Sequence, residues 1–189
     1  MRNLLVSLGL LWLVGFSHGA YPVIYSCEHA LHSGIYTLQY QGWTLDVECD
    51  AVTDGGGWLT LFVRRGGAHD FYRDWKTFSE EGIGSPQTEY VLPLKFWHDF
   101  LSQGEYELLK EMSEGSDTAW AFYGEFEIGP EPNKFPISWG NYDPASTNGG
   151  FNFLPSGTKF STYDSDNDSY SGSCSTAYRS ANWFKKCHS

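Results

Sequence analysis

The sequence predicts one disulfide-bonded domain in which short strands outnumber helices and the C-terminal third is mostly loop. Three observations carry this. The 189-residue chain is 41% AVILMFWYC, with 13 Phe, 12 Tyr and 8 Trp, enough apolar surface for a core and too much for wholesale disorder. Strand-like runs bounded by turn residues recur along the first two thirds, interrupted by a single helical stretch. Four cysteines, an even number, stand at Cys27, Cys49, Cys174 and Cys187.

Arg2 followed by the apolar run Leu4–Phe16, with small Ser17 and Gly19 just beyond, reads as a secretory signal peptide over residues 1–19, cleaved before Ala20. The apolar run is shorter than the roughly 20 residues a spanning helix needs, which disfavours a signal anchor. A short segment, 20–26, leads into the domain at 27–189. Gly34–Tyr40 and Trp43–Cys49, rich in Tyr, Thr, Leu and Val, predict a strand pair. Gly55, Gly56 and Gly57 mark a tight backbone excursion before a strand over Trp58–Arg64. Leu94, Trp97, Phe100 and Leu101 recur at helical spacing after Pro93, with Gly104 as the stop. Strands are expected at Tyr106–Met112 and Ala119–Ile128, their aromatics Trp120, Phe122 and Phe126 serving the core. From Gly129 to Ser175 the chain is rich in Gly, Pro, Asn, Ser and Asp and reads as irregular. A loop region that long is usually functional or pinned by something bound.

In an oxidising compartment the four cysteines allow three pairings. Their order favours two local loops, Cys27 with Cys49 and Cys174 with Cys187, each stabilising by about 3 kcal/mol in the chain-entropy model. A zinc site at Cys27, His29 and His32 matches no closed ligand spacing. The formal net charge of −11, with no basic run longer than two, argues against nucleic acid and against a polybasic membrane anchor. No later segment is long and apolar enough to predict membrane insertion. Neither heptads nor Gly-X-Y repeats are present to drive assembly. No nucleophile elbow, His-Glu-x-x-His or phosphate loop appears, so an enzyme is not expected.

Asp164-Ser165-Asp166-Asn167-Asp168 places three carboxylates within five residues. Such crowding suits calcium, which takes six to eight oxygens in flexible geometry, or else a solvated acidic turn. It is not an EF-hand, whose sixth and twelfth positions would here be Ser169 and Ser175.

Several motifs together resemble the fibrinogen C-terminal-like domain: Ser33-Gly34-Ile35-Tyr36, Val47-Glu48-Cys49-Asp50, Gly55-Gly56-Gly57-Trp58 with Arg64-Arg65, and Asp70-Phe71-Tyr72-Arg73-Asp74-Trp75. Gly104-Glu105-Tyr106-Glu107-Leu108, Phe160-Ser161-Thr162-Tyr163 into the acidic loop, and Cys174 through Cys187-His188 continue the likeness over residues 27–189. The resemblance implies an α+β fold with an N-terminal disulfide subdomain, a central twisted antiparallel sheet and a loop-rich calcium-binding subdomain. It implies the same two local disulfides.

Carried over residue by residue, the family's calcium ligands fall on the side chains of Asp166 and Asp168 and the carbonyls of Tyr170 and Gly172. Asp164 is then structural. The sequon Asn167-Asp168-Ser169 lies inside this loop, where a glycan would crowd the ion, so it is expected to stay unoccupied. In the ficolin and tachylectin branch a pocket beside the calcium binds acetyl groups. There Tyr178 matches a pocket tyrosine, and His188 with the Lys186–Cys187 peptide, often cis in the family, matches the wall. In fibrinogen's own polymerisation pocket an acidic residue stands at the Tyr178 position, so a neutral acetylated ligand is favoured over a cationic one.

Family members usually run on past the last cysteine, whereas this chain stops at Ser189, which implies a C-terminally truncated domain with a half-built pocket and weak sugar binding. The expected function is a secreted, calcium-dependent lectin for acetylated glycans in innate defence, with a homo-oligomer for avidity. The alternative is an extracellular protein-binding module in adhesion, haemostasis or receptor signalling.

Overall fold

The structure is a computed structural model that describes residues 21–146 and 155–187. The leader expected over residues 1–19, and His188, lie outside the described residues. Strands β1 (Val23–Ile24), β2 (Gly34–Tyr40), β3 (Trp43–Asp50) and β4 (Trp58–Leu59) make a first sheet in that order, with β1 parallel to β2 and the rest antiparallel. The expected strand pair is a hairpin in full register from Gly34↔Cys49 to Tyr40↔Trp43. Its turn residues Gln41 and Gly42 both take positive φ, 43° and 90°, the handedness that matches the twist of the flanking strands. Cys27, in a short 3-10 turn, reaches across to Cys49 with a Cα separation of 5.4 Å and closes this subdomain.

The strand expected over Trp58–Arg64 is broken in two. β4 pairs with β3, while β5 (Phe62–Val63) leaves for a second sheet of order β5-β7-β6, with β6 at Ile83–Gly84 and β7 at Tyr90–Val91. The reason is competition for partners: Thr60 still donates to Glu48 O at 3.0 Å, whereas Leu92 N already donates to Leu61 O at 3.0 Å. The buried Tyr90 hydroxyl bridges the seam, accepting from Glu48 N at 3.0 Å and donating to Thr60 O at 2.7 Å.

Helix α1 (Leu94–Leu101) follows Pro93 and ends at Ser102, two residues before the expected glycine stop. Its face of Leu94, Phe96, Trp97 and Leu101 is buried, and Lys95 lies on the other side. β8 (Leu108–Glu114) and β9 (Asp117–Ile128) form a hairpin, and β10 (Ile137–Tyr142) adds to the far edge of β9. β10 lies in the stretch expected to be irregular. The β9–β10 register shifts twice, near Gly140 and Tyr142, which hides the alternation a strand normally shows.

The rest of the C-terminal part is loop over an aromatic floor. Trp75 stacks on Phe135 at 5.6 Å, Phe78 and Trp183 both pack on Phe160, at 5.1 and 4.8 Å, and Trp183 meets Trp97 of α1 at 5.8 Å. The Trp183 indole donates to Phe135 O at 2.7 Å, so this polar handle is satisfied inside the core. A short helix, α2 (Cys174–Tyr178), is capped by Ser173, whose hydroxyl accepts from Thr176 N at 3.2 Å. Among the described residues no helix is long and apolar enough to cross a membrane.

Candidate functional site

The acidic loop is anchored at both ends. Buried Ser161 pairs with Asn182 through two backbone bonds of 2.9 and 3.2 Å, and Ser169 donates to Lys185 O from its amide (2.8 Å) and from its hydroxyl (2.7 Å). Cys174 and Cys187, with Cα atoms 5.2 Å apart, tie α2 to the following segment. Every peptide bond among the described residues is trans, that between Lys186 and Cys187 included, and Cys187 instead takes φ +61°.

Within the loop the three carboxylates do different work. Asp164 Oδ1 accepts from Trp75 N at 2.9 Å and from Thr162 Oγ1 at 2.7 Å, which makes it a structural tie across 89 residues of chain. Asp168 organises the turn that follows, one oxygen accepting from Tyr170 N at 2.8 Å and the other from Cys174 N at 2.9 Å. Asp166 accepts from Asp168 N at 3.3 Å. Burial first, then the neighbouring Asp168 charge, push the Asp166 carboxyl above its ordinary pKa. Two neighbouring carboxylates on an exposed loop are groups whose mutual repulsion a bound cation would reduce.

Among the described residues no three His, Cys, Asp or Glu side chains gather around one point. Any ion here must draw on backbone carbonyls beside the Asp166–Asp168 pair. That all-oxygen donor chemistry fits a hard cation such as calcium and not zinc. The chain around Asp168 is bent so that the stretch from Tyr170 to Gly172 lies between its two hydrogen bonds, at Tyr170 N and Cys174 N. Asn167 has its side-chain amide engaged by Phe160 O (2.8 Å), Ser165 O (3.0 Å) and Ser165 Oγ (3.1 Å). The nitrogen that glycosylation would modify is thus turned into the loop.

Three tyrosines of this lobe are exposed. Tyr163, Tyr170 and Tyr178 are 43%, 50% and 51% exposed, three of the few large apolar side chains left open to solvent among the described residues. Tyr163 packs on Tyr72 at 5.0 Å, and the Arg179 guanidinium lies 5.0 Å over the other member of that pair, Tyr72. Tyr178 closes α2 and Arg179 follows in the left-handed region at φ +48°. Tyr72 and Arg179 were invisible as partners in the sequence, because 107 positions separate them; the Asp70–Trp75 motif was the only hint. A shallow cleft of about 490 Å³ lies elsewhere, between the end of α1 and the β9–β10 edge, lined by His98, Leu101, Glu127, Ile128, Pro136 and Ser138. There His98 donates from Nδ1 to Ile128 O at 2.8 Å, a structural bond.

A disulfide-closed hairpin subdomain, small antiparallel sheets around one amphipathic helix and a loop-rich lobe over an aromatic floor define a mixed α+β domain, mostly sheet and loop with few helices. The family model for the C-terminal globular domain of fibrinogen beta and gamma chains matches residues 26–189, and the chain belongs to this family. It is 36% identical over 176 residues to chicken (Gallus gallus) tenascin, which covers 89% of this chain and 10% of that protein. It is 36% identical over 159 residues to human tenascin-R, 82% of this chain and 12% of that one. The chain thus spans about a tenth of the length of these curated relatives. Among solved structures, the fibrinogen-like globe domain of human ANGPTL6 superposes with a TM-score of 0.79 at 30% identity, covering 90% of this chain and 79% of that one. A lamprey fibrin D-dimer, complexed with the peptide Gly-His-Arg-Pro-amide, superposes with a TM-score of 0.76 at 27% identity, covering 88% of this chain and 59% of that one.

Proposed function

We propose that this chain is a secreted, non-enzymatic recognition module that binds an extracellular protein through its C-terminal lobe, with calcium held by the side chains of Asp166 and Asp168 and the carbonyls of Tyr170 and Gly172. The carrying observation is the exposure of Tyr163, Tyr170 and Tyr178, all in this lobe, on a backbone pinned by Asp168 and by the Cys174–Cys187 bond. Tyrosine and arginine on a rigid support are what protein interfaces concentrate at their energetic centres. That the lamprey neighbour was solved with a peptide supports a peptide or protein ligand. Bound calcium would neutralise the Asp166–Asp168 repulsion and stiffen the loop that carries Tyr170.

A second reading keeps the calcium and takes an acetylated glycan as ligand, with Tyr178, Cys187 and His188 as pocket residues. It is favoured by Tyr178 itself, a neutral aromatic on the open side of α2. In both readings a single weak site gains from homo-oligomerisation. The test is selection from a displayed peptide library in parallel with a glycan array, each with calcium and with EGTA. Peptides whose binding needs calcium and is lost in Tyr178→Ala are expected; binding to N-acetylated sugars with no selected peptide would favour the glycan.

A further inference from the structure

The tie between the acidic loop and the body of the domain has a consequence for calcium. Trp75 is held from several sides. Its indole nitrogen donates to Glu131 Oε1 at 2.9 Å, and Glu131 Oε2 is bonded at 3.0 Å to Lys95, which also reaches Glu80. Its ring stacks on Phe135 and carries the Lys134 ammonium 5.0 Å above it. Trp75 is therefore a fixed post joined to α1, and its backbone N–H is a donor whose position the core has already set. Asp164 docks on that donor, and Asp166 is only two residues further along the loop.

We infer that the Trp75 N–H to Asp164 bond is a positioning contact for the calcium loop: it presets the backbone that presents Asp166 and Asp168, so that calcium binding and protection of the Trp75 amide strengthen each other. This rests on the calcium reading above and adds a positioning element to it, since in that reading Asp164 is not a ligand and acts through the loop. Thermodynamic linkage makes the coupling reciprocal. Whatever loosens Trp75 weakens calcium, and calcium in turn slows exchange at Trp75. Tyr163 precedes Asp164 and packs on Tyr72, so the same docking step also seats the exposed Tyr163 ring.

The test is calcium titration by calorimetry, together with amide hydrogen exchange of the 70–80 segment, on the wild type, Asp164→Ala, Asp164→Asn and Glu131→Gln. The wild type is expected to bind one calcium and to show slower exchange at Trp75 when loaded. Asp164→Ala should bind the ion about tenfold more weakly and lose the calcium effect on Trp75, within the usual range of site coupling. Asp164→Asn, which keeps an accepting oxygen, should recover most of both. Glu131→Gln, far from the ion, should weaken calcium by a smaller factor. If the wild type binds calcium but Asp164→Ala binds it equally well, or Trp75 exchange ignores calcium, the positioning role is overturned while the calcium site stands. If the wild type binds no calcium, both fall. If Asp164→Ala fails to fold, equal calcium affinity in the wild type and Glu131→Gln, with Trp75 exchange unchanged by calcium, is enough to overturn the inference.

Discussion

Glu89 and His69, twenty residues apart, are joined where the His69 amide donates at 2.8 Å to Oε1 of a carboxylate that has no solvent exposure. Oε2 of the same group accepts from the amides of Arg65, Gly66 and Gly67 at 3.1, 3.2 and 3.1 Å. One buried anion thus shapes the whole loop from Arg65 to His69, and the residue just before β7 is its organising centre.

That arrangement predicts a pH response. The four amides, His69 first, hold the Glu89 carboxyl down from its ordinary 4.5 to about 2. A carboxyl whose folded pKa is depressed contributes stability that is fully present above its unfolded value and disappears as pH falls from about 4.5 to about 2. In Glu89→Gln an amide NH2 faces the donors, so thermal melts should show a midpoint lowered by about 5 °C or more at neutral pH. The part of the acid dependence between pH 4.5 and 2 that belongs to Glu89 should vanish with it. Unchanged melting at neutral pH would mean the loop does not rely on this anion.

The same corner limits Gly84. It takes φ +72°, and a Cβ there would meet the carbonyl oxygen of Glu89, far inside contact distance. Gly115, at φ +60° with open space around it, carries only the conformational penalty. Denaturant titration should find Gly115→Ala destabilised by about 1 kcal/mol and Gly84→Ala by several times more. Similar values for the two would refute the close approach.

The disulfides should differ in reducibility rather than in worth. Cys27 and Cys49 are both buried, whereas Cys187 is half-buried and follows an exposed Lys186. Thiol attack needs access, so mild reductant followed by alkylation and peptide mapping should label Cys174 and Cys187 first. Replacing either pair by serine should cost about 3 kcal/mol, since the two loops, of 22 and 13 residues, differ little in closure entropy.

Asn167 should stay unglycosylated in eukaryotic expression despite its sequon, because its amide nitrogen is spent on three acceptors inside the loop. A mass shift on treatment with an N-glycosidase would contradict this. Ser165→Ala, which removes one of those acceptors, is not expected to restore modification, since the backbone acceptors at Phe160 and Ser165 remain.

Removal of calcium should act on the loop and not on the hairpin subdomain. With EGTA, hydrogen exchange is expected to quicken between Tyr163 and Ser175 and to stay unchanged across Gly34–Asp50. Asp166→Ala should reproduce the chelated pattern, and the wild type should gain thermal stability with calcium by mass action. Equal melting temperatures for the wild type with calcium and with chelator would remove the ion from this loop.

What the residues determine alone is whatever depends on near neighbours. The hairpin was readable, as Gly34–Tyr40 and Trp43–Cys49, because runs rich in Tyr, Thr, Leu and Val flank turn residues. Helix Leu94–Leu101 was readable because Pro93 starts a strongly one-sided apolar stripe. The acidic loop announced itself through three carboxylates too close together to be without consequence, and its motifs were sufficient to place the chain in the family. Tertiary structure decided whatever depends on partners distant in the chain. Thr60 and Leu61 look like the middle of one strand, yet β3 claims one side and Leu92 the other, so the run is divided between two sheets. Glu89 looks like a surface acid until four amides from Arg65–His69 surround it. Asp164 and Trp75 stand 89 positions apart and carry no local sign of each other. Local pattern records the conformational preferences of a few adjacent residues; the pairing of a buried charge or a loop carboxylate with its donor is set only when the whole core has packed.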